Sequence, residues 1–221
     1  MNSITGIQLT GGKVMGFKKA FMAILLVLSI TRLNATPVSD NGKLRVSGLQ
    51  LVNSCGNAVQ LKGISSHGLQ WFGLNGSDAR CLSSSAINYM ANTIGADIFR
   101  AAMYVESNGY LSDPARFRTE VDTLVDYCAA AGIYIIIDWH ILSDGDPNKN
   151  ISAARTFWEY MADKHKGKPH VLYEICNEPN GVSWSQIKAY ADDIIPRIRQ
   201  RDPDTVIIVG TPNWSQLGAD V

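Results

Sequence analysis

The stretch Val171-Leu172-Tyr173-Glu174-Ile175-Cys176-Asn177-Glu178-Pro179-Asn180 decides how this chain folds. A short, nearly continuous apolar run closed by a turn-forming proline reads as a buried strand. The run ends in an amide and a carboxylate. An ionised glutamate gains nothing in a core and is costly to bury unpaired. Asn177-Glu178 at the strand's C-terminal lip therefore points to chemistry: proton transfer by Glu178, with Asn177 orienting a substrate. The plainer alternative is a strand-end cap facing water.

Similar runs recur on both sides of this one. Strands are expected at Val59–Ile64, Asp97–Met103, Ile133–Asp138, Val171–Asn177 and Thr205–Gly210, starting 38, 36, 38 and 34 residues apart. Helical patterns lie between them. Ser83–Ile94 is closed by Gly95. Pro114–Ala131 is opened by Asp113 with proline at its first position, and closed by Gly132. Ser152–Lys166 is closed by Gly167. Ser183–Arg201 ends before Asp202-Pro203, with Pro196 as a possible kink. Leu44–Val52 and Ala58–Leu61 flank the turn-rich Asn53-Ser54-Cys55-Gly56-Asn57, an expected N-terminal β-hairpin.

Strand–helix alternation with Val/Ile-rich strands implies a parallel sheet covered by helices. Two architectures fit, a doubly wound sheet and a (β/α)₈ barrel. No Gly-x-Gly-x-x-Gly follows the first strand, which removes support for a dinucleotide-binding sheet. Every strand carries polar and aromatic residues at or near its C-terminal end: His67 and Trp71 follow the first, Arg100 lies within the second with Tyr104 at its end, Trp139 and His140 follow the third, Asn177 and Glu178 the fourth, and Trp214 the fifth. A barrel brings such residues to one face, whereas an open sheet spreads them along an edge. The barrel is the expectation.

The 221 residues carry 20 basic and 20 acidic side chains and are 46% hydrophobic. Nothing in that balance steers the chain toward nucleic acid or acidic lipid. Lys18 and Lys19 precede the apolar run Phe21–Ile30, and Leu33-Asn34-Ala35 supplies a small residue for cleavage. That order is expected of a secretory signal peptide over residues 1–35, with Met15 as a second candidate start. The apolar run is too short to span a bilayer as a helix. The chain is thus expected to be secreted, extracellular and free of the membrane after cleavage. Secretion permits disulfides among Cys55, Cys81, Cys128 and Cys176, with Cys55–Cys81 preferred because both sit in loop-like surroundings. Cys128 and Cys176 read as buried thiols. No Cys/His spacing suggests a metal, and no phosphate loop or cofactor motif is present. Asn75, Asn150 and Asn213 head glycosylation sequons. His165 and His170 flank an expected surface turn and receive no role.

Flat aromatic faces beside hydrogen-bonding groups suit sugar rings. Trp71, Tyr104, Trp139 and Trp214 are candidate stacking platforms, and core packing is the alternative, evenly balanced for Trp139. The segments Gly63-Ile-Ser-Ser-His-Gly-Leu-Gln-Trp71, Arg100-Ala-Ala-Met-Tyr104, Ile137-Asp-Trp-His140, Tyr173-Glu-Ile-Cys-Asn-Glu-Pro-Asn180 and Gly210-Thr-Pro-Asn-Trp-Ser215 together resemble glycoside hydrolase family 5, and most of all its secreted endo-β-1,4-glucanases. The resemblance runs from about Val38 to Val221. It implies a β-1,4-glucan substrate, no cofactor, a monomer and a retaining mechanism. Glu178 matches the general acid/base, Asn177 the residue that bonds the sugar 2-hydroxyl, and Arg100 the arginine that keeps the nucleophile ionised. His140 matches a histidine at the cleavage subsite, while His67, Trp71, Tyr104 and Trp214 match cleft contacts. The family nucleophile stands on the seventh strand. The sequence ends after the fifth, so the resemblance implies the N-terminal part of a catalytic domain (residues 36–221), an incomplete barrel without its nucleophile and inactive alone. Glu106, Asp138 and Glu174 do not match the nucleophile position. A non-catalytic carbohydrate-binding remnant and a mannanase of the same superfamily are the alternatives.

Overall fold

The computed structural model describes residues 35–76, 78 and 82–216. The expected signal peptide lies outside this set but for Ala35, and Cys81 of the expected Cys55–Cys81 pairing lies outside it too, while Cys55 is an exposed free thiol. Thr36 opens helix α1 (Pro37–Asn41) with a reciprocal cap: its hydroxyl accepts from the Ser39 backbone N–H, and the Ser39 hydroxyl accepts from the Thr36 N–H. Strands β1 (Arg45–Ser47) and β2 (Gln50–Val52) then form an antiparallel hairpin.

The hairpin does not turn where the sequence suggested. The expected strand Leu44–Val52 folds back on itself at Gly48-Leu49, with Ser47 opposite Gln50. Gly48 has φ +60°, the left-handed conformation that a two-residue hairpin turn demands and that glycine supplies at no steric cost. The Asn53–Asn57 loop is held by Asn53, whose side-chain oxygen accepts from the N–H groups of Cys55 and Asn57. Only a single bridge, Val52 to Ala58, remains of the expected pairing across it.

Strands β3 (Gly63–Ser65), β4 (Ile98–Tyr104), β5 (Tyr134–His140), β6 (Val171–Glu174) and β7 (Ile207–Ile208) form one all-parallel sheet in sequential order. A doubly wound sheet reverses its strand order at a switch point, and this one does not. Five consecutive β/α units of a (β/α)₈ barrel are therefore present. The first and fifth expected strands shorten to three and two residues, because each has only one neighbour in the described sheet.

The main helices lie close to their sequence signals. Short α2 (Leu69–Phe72) follows β3. Helix α3 (Ser84–Tyr89) is capped by the Ser83 hydroxyl and runs on as a π-helical turn, Met90–Ile94, to left-handed Gly95. Helix α4 (Pro114–Ala131) is capped by Asp113 and ends at left-handed Gly132. It buries Phe117, Val121, Leu124, Val125 and Cys128, the spacing of one helical face. Helices α5 (Ile151–His165) and α6 (Trp184–Arg199) follow, and α6 continues through Pro196. A last turn, α7 (Pro212–Ser215), closes the described residues. No described helix is long and apolar enough to cross a membrane.

Between sheet and helices runs an aromatic chain, Tyr110, Trp139, Phe157, Trp158 and Tyr173, with successive ring centroids 4.9–5.4 Å apart. Trp139 is fully buried here, so it belongs to the core and not to a sugar platform. His165 and His170 are buried as well, contrary to the expected surface turn. His165 Nε2 lies 2.8 Å from Asp122 on α4, and His170 Nε2 lies 3.2 Å from the Val125 carbonyl. Both rings fill space under α4 that a local sequence pattern does not reveal. Truncating Phe157, at the centre of the aromatic chain, to alanine is expected to cost about 3–5 kcal/mol. Urea denaturation should show a lower midpoint with an unchanged slope.

Candidate active site

The sequence-predicted site residues lie at the C-terminal ends of the strands or in the segments just beyond them, except Arg100, which stands within β4 two residues below the level of Asp138. Strand register explains the polar centre. Asp138 on β5 stands beside Ala102 on β4 and beside Glu174 on β6, so three neighbouring strands present one level of side chains. Arg100 rises into that level from β4.

The Arg100 guanidinium binds Glu174 through both carboxylate oxygens, Nε to Oε2 at 2.7 Å and Nη2 to Oε1 at 2.9 Å. Nη2 also donates to Asn177 Oδ1 at 2.7 Å and lies 2.8 Å from Asp138 Oδ2, while Nη1 donates to the Ser65 hydroxyl. His140 Nδ1 sits 2.6 Å from Asp138 Oδ2. The Asn177 amide nitrogen reaches His140 Nε2 and the Ile141 carbonyl, each at 3.2 Å. Burial works against the charge on Arg100. The Glu174 hydrogen bond and the surrounding carboxylates outweigh it and raise its pKa above the ordinary value. Burial above all, then the charge of Glu174, pushes Asp138 well above the usual carboxylate range. Burial and then the Arg100 charge hold His140 down at about 4, so the ring is neutral near pH 7.

Beside this network the aromatic residues form a contact chain. Tyr104 stacks on His140 at 4.2 Å and touches His67 at 5.7 Å and Trp71 at 5.3 Å, and His67 meets Trp71 at 5.2 Å. Tyr104 is only 7% exposed, so it offers an edge to a ligand and not a broad face. Trp214 stands apart and is half-exposed.

Glu178 is partly buried and lines a cleft of about 370 Å³ with Glu174, Asn177, Gly210, Thr211 and Ser215. Its loop is strapped down from the β7 side. The Ser215 hydroxyl donates to the Asn177 carbonyl at 2.8 Å, and the Trp214 N–H donates to the Pro179 carbonyl at 3.0 Å. Asn213, Trp214 and Ser215 all have positive φ, a left-handed turn that side chains resist and that these two bonds hold. A Cβ at Gly210 would stand 2.6 Å from the Cys176 carbonyl oxygen and 2.7 Å from that of Asn177, so only glycine fits against the loop.

The structure therefore brings Arg100, His140, Asn177, Tyr104, His67 and Trp71 into one connected set, flanked by Glu178 in its cleft. Sequence reasoning undervalued Asp138 and Glu174. Their signal was an ionisable side chain inside an apolar strand. Among the described residues no group of three or more His, Cys, Asp or Glu side chains is placed to hold a metal ion.

A barrel with a carboxylate, an amide, an arginine and a histidine at its strand ends, ringed by aromatic side chains, has the form of a barrel glycosidase. A family model described as "Cellulase (glycosyl hydrolase family 5)" matches residues 52–221, and the chain belongs to that family. It is 50% identical over 183 residues to Endoglucanase E-5 of Thermobifida fusca and 46% identical over 183 residues to Endoglucanase CelA of Streptomyces lividans. Each match covers 83% of this chain and 38% of the relative. Among solved structures, the catalytic domain of the T. fusca endoglucanase Cel5A matches with a TM-score of 0.79 at 50% identity, over 83% of this chain and 58% of that one. A variant of the same domain in complex with cellotetraose matches equally well. The chain thus spans little more than a third of the length of these curated relatives and just over half of that catalytic domain.

The depressed His140 pKa has a measurable consequence. The unfolded ring takes up a proton near pH 6.5, while the folded ring resists until about pH 4. Between those values the unfolded state binds more protons, so stability falls as pH drops through the window, by up to about 3 kcal/mol. Urea midpoints measured from pH 7 to pH 4 should show this loss, and His140→Gln should flatten that part of the profile.

Proposed function

We propose that this chain is the N-terminal part of a secreted endo-β-1,4-glucanase catalytic domain that acts by a retaining mechanism. The observation that carries the reading is the placement of Glu178 in an open cleft directly after Asn177, whose amide is locked into the Arg100–His140 network. Family membership and the cellotetraose bound to a relative's catalytic domain support the substrate class. The charged pair before an apolar run near residue 20 supports secretion.

In this reading Glu178 protonates the leaving glycosidic oxygen and then, as a carboxylate, takes a proton from water when the glycosyl-enzyme is hydrolysed. Retention requires a second carboxylate at about 5–5.5 Å to attack the anomeric carbon. Glu174 lines the same cleft, but Arg100 holds both of its oxygens, which suits a fixed counter-charge better than a nucleophile. The nucleophile is assigned to no residue of these 221. Asn177 faces the 2-hydroxyl of the sugar at the cleavage point, with His140 beside it. His67, Trp71 and Tyr104, which reach the network through the Tyr104–His140 stack, and the half-exposed Trp214 are the rings that would cover the C–H faces of glucose units.

Reducing-end release from soluble cellulose is the direct assay. Glu178→Gln is expected to lower any rate by about 10²–10⁴-fold while leaving cellotetraose binding in place. Activity untouched by that change overturns the assignment. Cellotetraose binding without release of reducing ends by the chain favours a carbohydrate-binding role, and faster turnover of mannan than of glucan favours a mannanase.

A further inference from the structure

Asp138 has no part in the proposed reaction, yet it is fully buried at the centre of the site and one of its oxygens, Oδ1, has no hydrogen-bond partner. Leaving a buried carboxylate oxygen unpartnered is costly, so the residue invites an explanation. The other oxygen, Oδ2, faces His140 Nδ1 at 2.6 Å. What that contact does follows from the donor and acceptor rules of its neighbours.

Arginine only donates, so the Asn177 side-chain atom 2.7 Å from Arg100 Nη2 must be the amide oxygen. A backbone carbonyl only accepts, so the atom 3.2 Å from the Ile141 oxygen must be the amide nitrogen. These two fixed ends leave Asn177 a single orientation. Its NH₂ group then points at His140 Nε2, which must be an unprotonated acceptor. The ring proton therefore sits on Nδ1, aimed at Asp138 Oδ2. The result holds whether Asp138 is ionised or carries a proton, because Oδ1 is the oxygen left to carry it.

We propose that Asp138 is a positioning residue: it holds His140 as the neutral tautomer protonated at Nδ1, and through His140 Nε2 it orients the Asn177 amide beside Glu178. The histidine cannot turn over without losing its bond to Asp138. It cannot become an imidazolium without pointing an N–H at the Asn177 NH₂. Asn177 is thus presented in one pose before any sugar arrives. The role in sugar recognition rests on the glucanase reading; the tautomer does not.

The test is long-range ¹H–¹⁵N NMR of the full 221-residue chain at pH 7, with His140→Gln used to assign the ring. The expected spectrum shows His140 protonated at Nδ1 and unprotonated at Nε2. Asp138→Leu should lose this preference and shift the ring toward the Nε2-protonated form, whereas Asn177→Ala should retain it. A wild-type ring protonated at Nε2, or doubly protonated, overturns the proposal, and this holds even if the leucine variant does not fold. An unchanged tautomer in a folded Asp138→Leu chain overturns it too. Cellotetraose affinity should fall about tenfold in the same variant, the worth of one well-placed hydrogen bond from Asn177. Wild-type chain that shows the expected tautomer but binds no cellotetraose counts against the glucanase reading and leaves the positioning of His140 standing.

Discussion

A guanidinium can only donate hydrogen bonds, and Arg100 carries its own into a place where water is scarce. Everything around it must therefore accept. Glu174 offers both oxygens, Asn177 its amide oxygen, Ser65 its hydroxyl and Asp138 a close carboxylate. A half-matched cluster would be worse than an apolar core, because an unpaired buried charge costs several kcal/mol. Four of the five strands are tied to this one residue: Ser65 on β3, Arg100 itself on β4, Asp138 on β5 and Glu174 on β6. The β7 side joins through Ser215, which grips the backbone of Asn177.

This arrangement trades stability for orientation. Apolar side chains at Asp138 and Glu174 would pack without desolvation cost, as they do one position away on the same strands. Two acids and an arginine instead define donor and acceptor directions that a methyl group cannot. On the other side of the strands the aromatic chain from Tyr110 to Tyr173 fills the space between sheet and helices, so the strands that carry the network are packed against buried rings. The left-handed turn at Asn213–Ser215 shows the same economy at the rim: a strained backbone is tolerated because two hydrogen bonds to the Asn177–Pro179 segment hold it.

Much of this was legible from the chain itself where the signal is local. Asp113-Pro114 and Gly132 mark helix α4 at both ends, since a side-chain cap and a left-handed glycine act within a few residues of themselves. Strand spacing and polar strand ends sufficed to separate a barrel from an open sheet. The hairpin was misplaced because two turn signals compete there. Gly48-Leu49 and the Asn53–Asn57 loop are both good turns, and the register of β1 on β2 selects the tighter one. The burial of His165 and His170 was invisible, because it depends on where α4 lies, some forty residues earlier in the chain.

The site divides in the same way. By itself the sequence determined which side chains reach the strand ends, because strand periodicity and helix punctuation fix position along the chain. It thus singled out Glu178, Asn177, His140, Arg100, His67, Trp71, Tyr104 and Trp214. Only the tertiary structure decided what each one faces. It moved Trp139 into the core, left Tyr104 an edge, gave Arg100 its carboxylate in Glu174 and made Asp138 the partner of His140. Hydrogen bonds are directional and short, and these join residues up to 77 positions apart. Their pattern exists only once parallel strands have set those residues side by side.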